Sequence, residues 1–306
     1  MDTQILLSTY NGEKYITAQI ESILRQSYQG SKLLIRDDGS KDNTVTLIER
    51  YSKKYPEKIH FLSGPNIGVK KSFFELLQQA DPNCMYYSFC DQDDIWLEDK
   101  LSIAISALNK EKQNQPLLYF APTHLTNEDL IPQKIWPKHV DVRPSFYNAL
   151  VDNIVVGTTA TINNKSRDLL LAKKPNFLNV IMHDWWSYLC VSALGKVIYG
   201  NEPAVLYRQH QGNVIGGDKD WKAVVRRKLS SYSKNKGKKI LYNQALEFMD
   251  CYGEYLSEEK KNQLKLFITP RPSYISRIKY LRESKLYRQS LYGNILLKYL
   301  IFTGYI

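Results

Sequence analysis

Met85-Tyr86-Tyr87-Ser88-Phe89-Cys90-Asp91-Gln92-Asp93-Asp94-Ile95-Trp96 decides how this chain is read. Met85 to Phe89 is a short apolar and aromatic run, the pattern of a buried strand. It ends in three carboxylates within four residues, and like charges at that spacing repel. Something cationic is needed to offset them. A hard divalent cation takes oxygen ligands, and Mg2+ or Mn2+ bridges one or two carboxylates to substrate phosphates. Ligands of open α/β sheets also bind beyond the carboxyl ends of the strands. An acidic loop, solvated or capping a helix predicted from Leu97, accounts for the same residues, so the motif needs its context.

The context is a repeated unit. Ile5-Leu6-Leu7-Ser8 reads as a strand and Thr9-Tyr10-Asn11-Gly12 as a turn, followed by Ile16, Ile20, Ile23 and Leu24 at helical spacing. Leu33-Leu34-Ile35 is a second strand that runs into Arg36-Asp37-Asp38-Gly39-Ser40. Asp42 is placed to cap the helix of Val45, Leu47, Ile48 and Tyr51. Ile59 to Leu62 is a third strand, and Pro65-Asn66-Ile67-Gly68 turns into a helix around Phe73, Phe74, Leu76 and Leu77. Strands alternating with helices predict an α/β fold with a mainly parallel, Rossmann-like sheet covered by helices. Thr9-Tyr10, Asp37-Asp38 and Asp91 to Asp94 should then converge on one sheet edge. A turn role accounts for Asp37 to Ser40, packing under the sheet for Tyr10, and a solvated helix start for Lys70 and Lys71.

Ser8 to Gly12, Asp37 to Ser40, and Asp91-Gln92-Asp93 with Trp96 together resemble the family 2 glycosyltransferases of GT-A fold. Within that family the likeness is to bacterial rhamnosyltransferases of cell-surface polysaccharide synthesis, from about Gln4 to about Gly217. The resemblance implies roles residue by residue. Thr9, Tyr10 and Asn11 would line the nucleotide pocket, with Asp38 or Asp37 on the base. Asp91 and its neighbour Gln92 would contact the ribose or sugar, and Asp93 would hold Mn2+ or Mg2+ at the diphosphate. Gly157 and Thr158, with Trp96, would adjoin the sugar and acceptor. In Met182-His183-Asp184-Trp185-Trp186 the resemblance makes Asp184 the catalytic base, with His183 and Trp185 beside it, although an acid at a helix start is ordinary. Tyr207 to Asn213 resembles the family's closing segment, with His210 as a second metal or phosphate contact and Arg208 as a partner for diphosphate; Gly212 to Gly217 is loose enough for a lid.

Between these landmarks, Leu97 to Leu108 is predicted helical, Pro116 to Phe120 and Val155 to Ala160 are predicted strands, and residues 124 to 148 read as loop. A strand at Ala204 to Leu206 precedes the closing segment.

Charge divides the chain. Residues 1–218 hold 23 Lys and Arg against 24 acids, whereas residues 219–306 hold 19 against 7. Two regions are therefore expected: 1–217 as the catalytic domain and 218–306 as a basic helical region. In the latter, Arg226-Arg227-Lys228, Lys234, Lys236, Lys238-Lys239 and Arg277 to Arg288 are interleaved with Trp221, Tyr232, Tyr274, Tyr280, Tyr287 and Tyr292. Basic amphipathic helices with aromatics suit an anionic membrane surface, and a solvated helical subdomain that serves oligomerisation is the simpler reading. No nucleic-acid motif accompanies the patch. Ile295 to Ile306, interrupted by Lys298, is too short to span a bilayer, and no basic-then-apolar leader precedes the first strand. The expectation is a cytoplasmic protein, peripheral at the inner membrane face. Cys84, Cys90, Cys190 and Cys251 lack metal spacing.

The function expected is inverting, metal-dependent transfer of L-rhamnose from dTDP-L-rhamnose to a lipid-linked saccharide in cell-wall or capsule synthesis. A UDP-hexose donor on the same fold is the alternative. A non-catalytic protein binding anionic lipid or nucleic acid through its tail is the reading from another class.

Overall fold

The computed structural model describes residues 3–137, 142–210 and 239–305. The larger sheet is built from β1 (Thr3–Thr9), β2 (Ser31–Asp37), β3 (Ile59–Ser63), β4 (Tyr86–Cys90), β6 (Leu117–Phe120), β9 (Thr161–Asn163) and β10 (Lys196–Tyr199). Its spatial order is β10-β6-β9-β4-β1-β2-β3. The strands pair in parallel except β9, which runs antiparallel to both β4 and β6.

Alternation along the strands makes two cores. Ile5, Leu7, Leu33, Ile35 and Tyr86 face the side covered by α1 (Ile16–Leu24), α2 (Thr44–Lys54) and α4 (Lys100–Asn109). Leu6, Leu34, Tyr87 and Phe89 face the other, under α3 (Val69–Gln79), α6 (Asn164–Ala172) and α7 (His183–Leu194). Helices on both faces explain why β1 and β4 read as near-continuous apolar runs. The second core continues into α8 (Ile240–Tyr252), α9 (Glu258–Ile268), α10 (Tyr274–Glu283) and α11 (Leu291–Phe302). Phe248, Tyr252, Phe267, Tyr280 and Ile301 belong to the cluster that contains Phe89 and Tyr188. The boundary expected at 217 and 218 lies outside the described residues, as do Gly212 to Gly217, Trp221, Tyr232 and the basic positions from Arg226 to Lys238.

Three expectations are corrected. Val155 to Ala160 is not a strand: Gly157–Thr159 forms a 3-10 turn, and the strand begins at Thr161. The buried apolar run looked extended, but Thr159 and Ala160 donate back to the carbonyls of Val156 and Gly157. Residues 124 to 148 are not all loop, since β7 (Thr123–Thr126), β8 (Pro132–Trp136) and α5 (Phe146–Ala149) lie within or across them. With β5 (Ile95–Trp96) and β11 (Val205–Arg208) the two strands make a small second sheet of order β5-β11-β7-β8. The helix expected from Leu97 starts at Lys100, because Ile95 and Trp96 are taken up in that sheet.

Candidate active site

The strand order reverses between β1 and β4, whose neighbours on either side are reached by opposite crossovers. Such a switch point opens a crevice at the carboxyl ends of the strands. Register places Leu7 beside Cys90 and Thr9 beside Asp37, so the three acidic or polar strand ends are contiguous. Gln92 fastens them: its Oε1 accepts from Thr9 Oγ1 at 2.6 Å and from the Tyr10 amide at 2.9 Å, and its Nε2 donates to the Tyr10 carbonyl at 3.1 Å. Gly12 leaves room for this amide, since a Cβ there would lie 2.4 Å from Gln92 Oε1 and displace it.

The second sheet brings a distant segment onto the acidic loop. The Arg208 amide donates to Asp94 Oδ1 at 3.1 Å, and Arg208 Nε donates to the Asp93 carbonyl at 2.9 Å. Two residues on, His210 Nε2 meets Asp93 Oδ2 at 2.8 Å. Tyr15 supports this corner, its ring 4.8 Å from that of His210 and its hydroxyl donating to Glu128, which also pairs with Lys14. Nothing in the local sequence at Tyr15 or Glu128 signalled the contact.

Asp184 opens α7 and is buried. Its Oδ1 accepts from the Trp185 amide at 2.7 Å and its Oδ2 from Asn153 Nδ2 at 3.1 Å. Gly157 packs on it, with room for no more than a tight contact: a Cβ there would lie 3.4 Å from Asp184 Cβ and 3.3 Å from His183 Nε2. Burial raises the Asp184 pKa to about 6. Burial, then the Asp93 and Asp184 carboxylates, raise that of Asp91 to about 8. Asp94 is held up in the same way, and its Oδ2 has no partner among the described residues. Asp91, Asp94 and Asp184 thus share one crowded site in which burial raises each pKa, an effect that a bound cation would oppose.

Among the described residues no three His, Cys, Asp or Glu side chains form a ligand cluster. Asp93 and His210, already in contact, are a pair whose chemistry fits a Mn2+ or Mg2+ ion that takes its other ligands from diphosphate and water.

Several expected contact residues are engaged elsewhere. Asp38 is buried, with Oδ1 accepting from Arg36 Nη1 at 2.6 Å and from the Ile67 amide at 2.9 Å, and Oδ2 from the Gly68 amide at 2.8 Å. Asp37, also buried, accepts from the Gly39 and Ser40 amides and the Ser40 hydroxyl. Both acids hold loops, and neither carboxylate is turned out toward a base. The Gln92 amide is likewise spent on the β1 end. Arg208 is 7% exposed; besides Asp93 it donates to the Glu128 carbonyl at 2.5 Å and lies 4.8 Å over the Tyr15 ring. It is a strut of this corner, unlike the free diphosphate contact expected. Trp96 is a core residue, 2% exposed, with Lys100 Nζ 3.5 Å from its ring centre and its Nε1 donating to Thr158. Thr158 is equally enclosed.

Trp185 donates to the Ala149 carbonyl at 2.7 Å and packs beside the core. The His183 ring stacks on Phe73 at 3.8 Å, and burial lowers its pKa to about 3, so it is neutral. Both of its ring nitrogens are without partners among the described residues. Tyr10 does not pack under the sheet: it is 43% exposed at the cleft rim, beside Asn11, whose Oδ1 accepts from the Lys41 amide. Lys70 donates to the carbonyls of Phe177 and Val180.

A family model described as Glycosyl transferase family 2 matches residues 4–168. The chain belongs to glycosyl transferase family 2. This family 2 glycosyltransferase is 30% identical to the dTDP-rhamnosyl transferase RfbG of Shigella flexneri, over 72% of this chain and 77% of that protein. It is 28% identical to WfgD of Escherichia coli, a UDP-Glc:alpha-D-GlcNAc-diphosphoundecaprenol beta-1,3-glucosyltransferase, over 53% of this chain and 60% of that one. Among solved structures, S. aureus TarS 1-349 in complex with UDP superimposes with a TM-score of 0.55 at 17% identity, over 89% of this chain and 71% of that one. At that identity the likeness is one of fold, and the fold of this glycosyltransferase is GT-A.

Proposed function

We propose that this glycosyltransferase moves L-rhamnose, with inversion, from dTDP-L-rhamnose to a hydroxyl of a lipid-linked saccharide in surface-polysaccharide synthesis. The observation that carries the reading is the convergence of Asp93, His210 and Asp91 at the sheet's switch point, with Asp184 close enough to raise the Asp91 pKa. RfbG supports rhamnose and thymidine diphosphate, and WfgD supports both the lipid diphosphate acceptor and the UDP-hexose alternative.

In this reading Tyr10 and Asn11 border the nucleotide, on a rim fixed by Gln92, Asp37 and Asp38. Asp93 and His210 would hold a divalent cation, which supplies positive charge to the departing diphosphate. Asp184 takes the proton of the acceptor hydroxyl as its oxygen bonds to the anomeric carbon and the bond from that carbon to phosphate breaks. Asn153 and the Trp185 amide aim the carboxylate. The site so described has Gly157 and His183 on its acceptor side. The basic carboxyl-terminal region would keep the protein at the cytoplasmic face of the membrane, where such acceptors are held.

The test is thermal stabilisation by dTDP, UDP and GDP, each with and without Mn2+ or Mg2+. A metal-dependent rise with dTDP that disappears in Asp93→Ala is expected, worth about 2.7 kcal/mol at a hundredfold excess over Kd. The same rise with UDP alone would replace the donor. No rise with any nucleotide would end the transferase reading of this cleft.

A further inference from the structure

The last helix is apolar on both sides. In α11, Leu297, Leu300 and Ile301 are buried against the body, while Leu291, Tyr292, Ile295, Tyr299 and Phe302 face outward. The outward set recurs at helical spacing and forms one stripe, with Tyr292 83% and Ile295 57% exposed. Helix α10 widens it with Tyr274, Ile275 and Ile278, and the rings of Tyr274 and Phe302, 5.5 Å apart, join the two faces. Single exposed apolar residues are ordinary, but a continuous stripe over adjacent helices marks an interaction surface.

Charge decides what it meets. From residue 270 to 306 the sequence holds seven Lys or Arg and one acid, Glu283. A second copy would bring the same sign to the contact. So would residues 211–238, with eight Lys or Arg against Asp218 and Asp220. A nucleic acid matches the charge and leaves the aliphatic stripe in water. An anionic bilayer matches both: Lys279, Arg282 and Lys298 reach headgroups, tyrosines suit the interface, and Ile and Leu enter the acyl boundary.

We propose that α10 and α11 form an interfacial membrane-binding face that inserts Ile275, Tyr292, Ile295 and Tyr299 into an anionic lipid surface. This deepens the proposed function, resting on it for the purpose of the contact and not for the contact itself. The connection between the two helices is pinned to the segment that leads to Asp184's partner. Tyr287 and Val151 carbonyls accept from Asn148 Nδ2 and Arg288 Nε, both at 3.0 Å, and the Gln289 amide donates to Asp152. Asn153 follows, donating to Asp184. The membrane face and the proposed base therefore share one support.

The full chain is to be sedimented with vesicles of phosphatidylcholine alone and of equal parts phosphatidylcholine and phosphatidylglycerol, at low and high salt. Wild type should bind the anionic vesicles and keep part of that binding in high salt. The double variant Tyr292→Ser with Ile295→Ser should lose at least about tenfold in partition under both conditions. Lys279→Glu with Lys298→Glu should lose binding chiefly at low salt. All four positions are exposed, so unchanged melting temperatures are expected and serve as the folding control. Wild type that ignores anionic vesicles, or an apolar variant that sediments with them like wild type, overturns the proposal. A wild-type dimer that the apolar variant converts to monomer assigns the face to a second copy and also overturns it. Vesicle binding is read without donor turnover, so a chain that binds lipid and no nucleotide would sink the transferase reading alone.

Discussion

At the residue scale the chemistry turns on Asp184. A carboxylate in water, with a pKa near 4, is a feeble base; burial at the start of α7 lifts this one to about 6. It remains ionised at neutral pH and is more basic for having been raised. Turnover should therefore rise with pH through about 6 and level off above it, since only the ionised form accepts the acceptor proton. Asp184→Asn keeps the size and an oxygen for the Trp185 amide while removing the basicity. Release of nucleoside diphosphate should fall by about 10²–10⁴-fold with the melting temperature maintained or raised, and the acid limb should vanish from what activity is left. Near wild-type turnover in a folded Asp184→Asn protein would remove the residue from the chemistry.

At the element scale, Asp38 is the instructive case. Resemblance put it on the base, and the structure puts it between β2, the loop after β3 and the start of α3, balanced by a buried Arg36 that also reaches Glu75 at 2.7 Å. Gly68, at φ 82°, completes that turn in the left-handed region. Removing one partner of a buried ion pair leaves the other uncompensated. Asp38→Asn should cost about 3 kcal/mol in urea denaturation, eased in part by Glu75. An unchanged denaturation midpoint with dTDP binding lost would return Asp38 to the base.

The same scale explains what the sequence could show. The β1 to β4 units were legible because each strand, turn and helix is written locally in periodic apolar residues. Their acidic ends were legible for the same reason. The second sheet was not, because Ile95–Trp96 is a two-residue strand whose partner, β11, lies far along the chain. Asp38, Gln92, Arg208 and Trp96 were recognised as part of a motif, but whether a motif side chain points at a ligand or braces the loop depends on its partners. Arg36, Tyr10, Glu128 and Lys100 are those partners, and Tyr10 and Glu128 are remote in sequence from the side chains they engage. Asn153 carries no local sign of its contact with Asp184.

At the scale of the whole molecule, two cores share one sheet, and the core under α4 holds a lysine. Lys100 is fully buried between β4 and Trp96, its Nζ donating to Ser88 Oγ at 2.5 Å. No carboxylate pairs with it among the described residues, and burial lowers its pKa to about 7. With the folded pKa below the unfolded one, the native state binds fewer protons between the two values. Global stability should therefore rise as pH climbs from about 7 toward about 10, and below that window the chain carries the full desolvation cost. Lys100→Met fills similar space without the charge, and Ser88 keeps the Thr161 hydroxyl and the Ala160 carbonyl as partners. The variant should be more stable than wild type by on the order of 4 kcal/mol near neutral pH, less whatever the contact with the Trp96 ring contributes. That difference should shrink as pH rises and approach zero only above pH ~10.5, where the lysine is neutral in both states. Urea denaturation of the two proteins across this range measures it. A difference that does not change with pH would mean that the amine stays protonated in the core, and that the Trp96 ring and Ser88 hold a charge there at neutral pH.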